Sequence, residues 1–223
     1  MNRKNNFAVI FDMDGVIVNN TEYHERSWQI FYDRHDLGSD KDFRTEVLGH
    51  TTRDHLQDVF GRELKEKEIR KLSDEKEKIY RDIYSDEIEP VAGLIPFLKD
   101  LKNRGIQTAL ATAATEANVE FVLGRTDTRD FFDELVDATM AEKGKPDPEI
   151  FLVAAGRLGK EPLECIVFED SVNGIKAAKN AGMNVVALTT TLPEKDLPEA
   201  DLYISKFTEI SMDKLVSLMK RKP

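Results

Sequence analysis

The chain has 223 residues, 40% of them hydrophobic and 33% charged, and a formal net charge of -10. That length allows one large domain or two smaller ones around a sizeable core, and an acidic balance with no basic stripe argues against a nucleic-acid surface. A lone cysteine, Cys165, excludes an internal disulfide, and the first apolar run is too short for a signal or a membrane span, so the expectation is a cytoplasmic protein with no membrane partner.

That run, Phe7-Ala8-Val9-Ile10-Phe11, ends directly in Asp12-Met13-Asp14-Gly15. It predicts a buried strand delivering two carboxylates to its C-terminal end, where open α/β sheets bind ligands. Carboxylates this close repel unless a cation lies between them or one holds a proton, and the same residues in isolation also suit a solvated turn. Val16-Ile17-Val18 carries on as an extended segment to the polar break Asn19-Asn20-Thr21. His24, Trp28, Phe31 and His35 then recur at helical spacing, predicting an amphipathic helix over 20–35. Short helices are expected over 42–48 and 52–60, separated by Gly49. Beyond Leu64, the stripe Ile69, Leu72, Ile79 and Ile83 predicts a long helix whose other face is solvated. No strand signal interrupts this stretch, so residues 19–86 read as an inserted helical domain between 1–18 and 87–223.

From Pro90 onward helix and strand alternate. Leu94, Phe97, Leu98 and Leu101 make a helix stripe before Gly105, and residues 107–111 form the next strand, ending at Thr112. A helix over 116–123, a weak strand over 135–138 and a helix opened by Asp147-Pro148 follow. Cys165-Ile166-Val167-Phe168 is a clear strand ending in Glu169-Asp170; a helix over 171–181, a strand over 184–188, a short strand over 202–204 and a last helix over 212–219 complete the pattern. The fold class is therefore α/β, a Rossmann-like doubly wound parallel sheet with an inserted all-helical domain.

In a parallel sheet the C-terminal strand ends share one edge, so Asp12, Asp14, Thr112, Glu169 and Asp170 can meet there, joined by Lys145 from the loop before a helix start. The set is chemically coherent. Asp12 with Asp170 offers hard oxygen ligands of the kind Mg²⁺ takes alongside a phosphate, and a Thr hydroxyl, a Lys ammonium and backbone N–H groups after Thr112 could hold phosphate oxygens. Each residue taken singly is also an ordinary strand-end or loop residue.

Four pieces carry a resemblance: "FDMDGV" at 11–16, Thr112 in "TALATAA", "GKPDPEIF" at 144–151 and "VFEDSVNGIKAAKNAGM" at 167–183. In this order, with a helical block after the first, they are similar to the haloacid dehalogenase superfamily, in the branch of β-phosphoglucomutase and sugar-phosphate phosphatases. The resemblance implies a Rossmann-like core with a helical cap and phosphoryl transfer through an aspartyl-phosphate. Asp12 would be the nucleophile and Asp14 the general acid and base. Asp12, the Asp14 carbonyl and Asp170 would hold Mg²⁺ with Glu169 close by, and Thr112 and Lys145 would grip the phosphoryl group, with Ala113 and Ala114 beside it.

Asp14 argues for phosphate ester chemistry, because the superfamily's dehalogenases lack an aspartate there. "NNTEYHERSW" resembles the mutase's cap entry and puts His24 where the family links cap closure to the acid/base, although His24 also lies on the packing stripe of Trp28 and Phe31. In "LGHTTRDHL" the mutase's lysine is Leu48 and its distal-phosphate arginine aligns with Thr52, one residue before Arg53; after Thr112 its polar pair is Ala114 and Glu116. A bisphosphate intermediate needs a cationic grip, so a phosphatase is expected, with the mutase and a non-catalytic phosphometabolite-binding protein as alternatives. The expected partner is a small phosphorylated metabolite, a sugar phosphate foremost, and the expected state a monomer. His50, Thr51, Thr52, Arg53 and His55 are the candidates for specificity from the cap.

Overall fold

The computed structural model describes residues 7–38 and 52–220, so the helix expected over 42–48, Gly49, His50 and Thr51 lie outside the described residues. The chain folds as two compact units, Met1–Asn19 with Glu89–Pro223, and Asn20–Ile88.

Strand β1, Ala8–Phe11, opens the first unit. The chain does not run on extended after it: the N–H groups of Val16, Ile17 and Val18 all donate to the Met13 carbonyl, and a tight turn replaces the extended 16–18 segment. Gly15 at φ +72° makes that turn possible, since a side chain rarely tolerates the left-handed region.

The second unit holds helices α1, Thr21–Arg34, α2, Thr52–Phe60, and α3, Glu66–Tyr84. Trp28, Phe31, Tyr32, Leu56, Leu64, Ile69, Leu72 and Ile79 form its core, which is the apolar stripe of each helix turned inward with Leu64 of the α2–α3 link among them. Ile83 is half-buried at the end of the α3 stripe, and the buried residue between Leu72 and Ile79 is Lys76.

The rest of the first unit alternates as expected: α4 Leu94–Asn103, β2 Gln107–Ala111, α5 Glu116–Thr126, β3 Glu134–Val136, α6 Glu149–Arg157, β4 Cys165–Glu169, α7 Val172–Asn180, β5 Asn184–Leu188, β6 Leu202–Ile204 and α8 Met212–Met219. The strands form one parallel sheet in the order β3-β2-β1-β4-β5-β6. Burial on both faces explains why the central strands read as continuous apolar runs. Alternation sorts their side chains. Ala8, Ile10, Cys165, Val167, Val185 and Ala187 pack with Phe151 and Ala154 of α6 and Ile175 and Ala178 of α7. The opposite parity puts Phe11 on Phe168, its register partner, with ring centroids 5.1 Å apart, and both rings meet Phe97 of α4 and Phe207. Each buried phenylalanine of this cluster contributes roughly 2–3 kcal/mol through removed apolar surface. No helix among the described residues is long and apolar enough to cross a membrane.

Candidate active site

The register delivers the polar residues to one edge. Phe11 pairs with Phe168 on one side and Leu110 on the other, so Asp12, Glu169 and Thr112 stand within a residue or two of one another along the strand ends. The ladder continues past β1, with the Asp12 N–H donating to the Phe168 carbonyl at 3.0 Å, and past β2, with the Thr112 N–H donating to the Val136 carbonyl at 2.9 Å. These bonds tie the site residues to the rigid sheet.

Lys145 joins the carboxylates. Its Nζ donates to Asp12 Oδ1 at 2.7 Å and to Glu169 Oε1 at 2.6 Å, and its side chain is only 10% exposed. This is no solvated loop lysine. The Glu169 carboxylate faces the start of α7: Oε2 accepts from the Asp170 N–H at 2.7 Å, the Ser171 N–H at 2.7 Å and Ser171 Oγ at 3.0 Å. Ser171 Oγ in turn accepts from the Gly174 N–H at 3.0 Å, capping the helix. A Cβ on Gly174 would overlap the Glu169 carboxylate, so glycine there is a matter of space. Backbone N–H groups just ahead of the helix thus hold the buried Glu169 carboxylate.

Asp170 completes the cluster, accepting a hydrogen bond from Thr191 Oγ1. One carboxylate oxygen from each of Asp12, Glu169 and Asp170 lies within 4.8 Å of the others, and all three residues are buried. Burial pushes the Asp12 carboxyl up to about 7, against the pull of Lys145 and with help from the charges of Glu169 and Asp14. Burial likewise raises Asp170 well above the carboxylate range, reinforced by the charges of Glu169 and Asp12. For Lys145, burial favours the neutral amine, but Asp12 and Glu169 outweigh it and raise the ammonium above its ordinary value. Buried carboxylates in such a cluster have the chemistry of a hard divalent-cation site, and the donor set fits Mg²⁺.

Asp14 is half-buried, bridged to Val18 through the backbone. Thr112 is buried, and its Oγ1 accepts from the Ala114 N–H at 3.1 Å, so that amide is engaged inside the loop. Ala113 is exposed and Ala114 half-buried. The helix does not start at once: α5 begins at Glu116 behind Thr115, whose side chain caps the Asn118 N–H.

In the helical unit His24 Nδ1 accepts from Lys76 Nζ at 2.9 Å, and its ring stacks on Tyr80 at 4.0 Å. Lys76, 3% exposed, also pairs with Glu77 at 3.0 Å and lies 5.3 Å from the Trp28 ring centroid. Sequence reasoning passes over Lys76; the gap it leaves in the stripe between Leu72 and Ile79 is the available signal. Thr52 is half-buried at the start of α2, and Arg53 is exposed and paired with exposed Glu66. His55 is a correction: it is 2% exposed, hydrogen-bonded to Tyr32 and packed on Trp28, which makes it a core residue of the helical unit. Sequence reasoning also misses Ser171 and the threonine run 189–191; a hydroxyl-rich loop directly after a central strand is their signal.

A parallel sheet whose strand ends gather buried carboxylates around a lysine defines an α/β protein with a polar site at the switch between strands β1 and β4. The chain belongs to the haloacid dehalogenase-like hydrolases, whose family model matches residues 8–182. It is similar to β-phosphoglucomutase of Bacillus subtilis strain 168, 33% identical over 93% of this chain and 93% of the relative. It is also similar to fructose-1-phosphate phosphatase YqaB of Escherichia coli strain K12, 32% identical over 80% of this chain and 94% of the relative. Among solved structures, a haloacid dehalogenase hydrolase of family IA, variant 3, from Entamoeba histolytica superposes with a TM-score of 0.89 at 28% identity, covering 96% of this chain and all of that one.

Proposed function

We propose that this chain is a Mg²⁺-dependent phosphatase that hydrolyses a small phosphorylated metabolite, a sugar phosphate foremost, through an aspartyl-phosphate on Asp12. The observation that carries this reading is Lys145 lodged between Asp12 and Glu169 in a buried carboxylate cluster at the strand ends. Asp12, Glu169 and Asp170, with the Asp14 carbonyl, would hold the metal. A divalent cation there neutralises the carboxylates and draws charge from a phosphoryl oxygen.

Asp12 is the nucleophile in this scheme, its carboxylate steered by the Lys145 ammonium. Asp14, half-buried rather than enclosed, protonates the leaving oxygen and then takes a proton from the attacking water. Lys145 and the Thr112 hydroxyl stabilise the charge that builds on the phosphoryl oxygens. The helical unit, residues 20–88, acts as a cap with Thr52 and Arg53 tuning specificity; the single buried Cys165, its thiol pushed up to about 12 by burial, suits a reducing cytoplasm. We read the protein as a monomer.

A mutase is the second reading, favoured by the identity to β-phosphoglucomutase. Against it stands Thr52, a neutral residue where the mutase's distal-phosphate arginine aligns. A panel of phosphorylated metabolites assayed with Mg²⁺ for phosphate release and for isomerisation separates the two. Phosphate release supports the phosphatase; rapid isomerisation of β-glucose 1-phosphate without release makes it a mutase, and no turnover of any compound by folded protein makes it a binding protein.

A further inference from the structure

The loop after β5 carries three consecutive threonines, 189–191, and each is tied to a different part of the unit. The Thr189 N–H donates to the Ile204 carbonyl of β6 at 2.9 Å. Thr190 Oγ1 donates to the Gly15 carbonyl at 2.5 Å, in the turn that follows Asp12 and Asp14. Thr191 Oγ1 donates to Asp170 Oδ2. From the other side Gly15 presents no Cβ; one there would overlap Asp170 Oδ2 and come within 2.9 Å of Thr191 Oγ1. The β1 turn, the end of β4 and the loop after β5 therefore meet at one carboxylate oxygen.

We propose that Thr191 is a positioning residue that sets the orientation of the Asp170 carboxylate for a divalent cation, an inference that rests on the metal-dependent function above. The torsion that rotates an aspartate carboxylate is broad and soft, so an unpinned Asp170 would present its oxygens over a wide range of angles. A hydroxyl bonded to Oδ2 narrows that range. Outer hydrogen-bond partners of this kind commonly contribute ten- to a hundred-fold to metal affinity. The neighbouring Thr189 and Thr190 are bonded to β6 and to the β1 turn, which anchors the backbone that carries the Thr191 hydroxyl. Gly15 provides the room in which carboxylate and hydroxyl come together.

The test is Mn²⁺ binding without substrate, read from the loss of the free-ion electron paramagnetic resonance signal, on wild type, Thr191→Val and Thr191→Ser. Mn²⁺ shares the preference of Mg²⁺ for an octahedral oxygen shell. The expected result is binding weakened about ten-fold or more in Thr191→Val and restored to within about two-fold by Thr191→Ser. Thermal unfolding in chelator, unchanged between the variants, separates lost positioning from lost fold; Thr191→Ala carries the same expectation if the valine variant does not fold. Wild-type affinity in Thr191→Val overturns the positioning role and leaves the metal reading standing. Failure of the wild type to bind the ion overturns the metal reading and this inference with it.

Discussion

In the α/β unit two backbone N–H groups just ahead of α7 share in holding the Glu169 carboxylate, beside Lys145, which also holds Asp12, and the Thr191 hydroxyl on Asp170. In the helical unit, buried Lys76 is met by side chains, with Glu77, His24 and the Trp28 ring around it. The difference follows from where backbone donors are left over. Strand ends and helix N-termini keep unpaired N–H groups that can fix a carboxylate, whereas the flank of a helix has none to give. A carboxylate fixed in part by backbone, as Glu169 is, keeps its place under charge repulsion. A side-chain contact such as His24 with Lys76 adjusts with the packing of the helices that carry it.

The largest effect that would test this contrast is at Asp12. Asp12→Asn is expected to lower turnover by about 10⁴-fold or more while circular dichroism stays native, because the nucleophile is lost and its shape is kept; turnover near wild type would remove Asp12 from that role. Next comes a paired comparison in metal-free protein at pH 8. Lys145→Met leaves Asp12, Glu169 and Asp170 without their internal cation and is expected to cost about 3–5 kcal/mol in urea unfolding. Lys76→Met leaves one carboxylate, Glu77, rather than three without a cation and puts a methionine among rings, so it is expected to cost less than Lys145→Met. Equal costs would erase the distinction between the two units.

A smaller effect concerns pH. The Asp12 carboxyl sits at about 7 in the folded chain against 3.8 ordinarily, so from about pH 4 upward the folded state keeps a proton that the unfolded state has released. The native state then binds more protons, and this group's contribution to stability is full below pH 4 and lost as pH rises towards 7. In chelator, Asp12→Asn should therefore gain thermal stability relative to wild type between pH 4 and 8, about 2–4 °C for each kcal/mol relieved. A gap that closes with rising pH would contradict the sign. The smallest expected change is at exposed Arg53, where Arg53→Ala should alter kcat/KM for phosphate release by less than about five-fold; a hundred-fold loss confined to isomerisation would favour the mutase.

The sheet is readable because its strands are buried on both faces, which makes β1, residues 165–168 of β4 and residues 185–188 of β5 apolar runs bounded by polar residues, while β2 is apolar only over residues 109–111. Helix stripes are equally plain in α1, α3 and α4. Periodicity does not distinguish a turn from a short strand, which is why Val16-Ile17-Val18 reads as extended and folds as a turn. Nor does it say what a polar residue on a stripe is doing: His55 reads as a substrate candidate and lies in the core, while Lys76 shows only as a gap in the α3 stripe and is buried there too.

By itself the sequence determined the class of fold, the order of its elements and the carboxylates at the strand ends, because local propensity and apolar period act over a few neighbouring residues. Which of those groups touch was decided by tertiary structure alone. Lys145 reaches Asp12 across 133 positions of chain, and Thr190 reaches Gly15 across 175, distances in sequence over which no local pattern carries information. Only sheet order and register bring β1, β4 and β5 side by side, and with them the nucleophile candidate, its lysine and the threonine that pins Asp170.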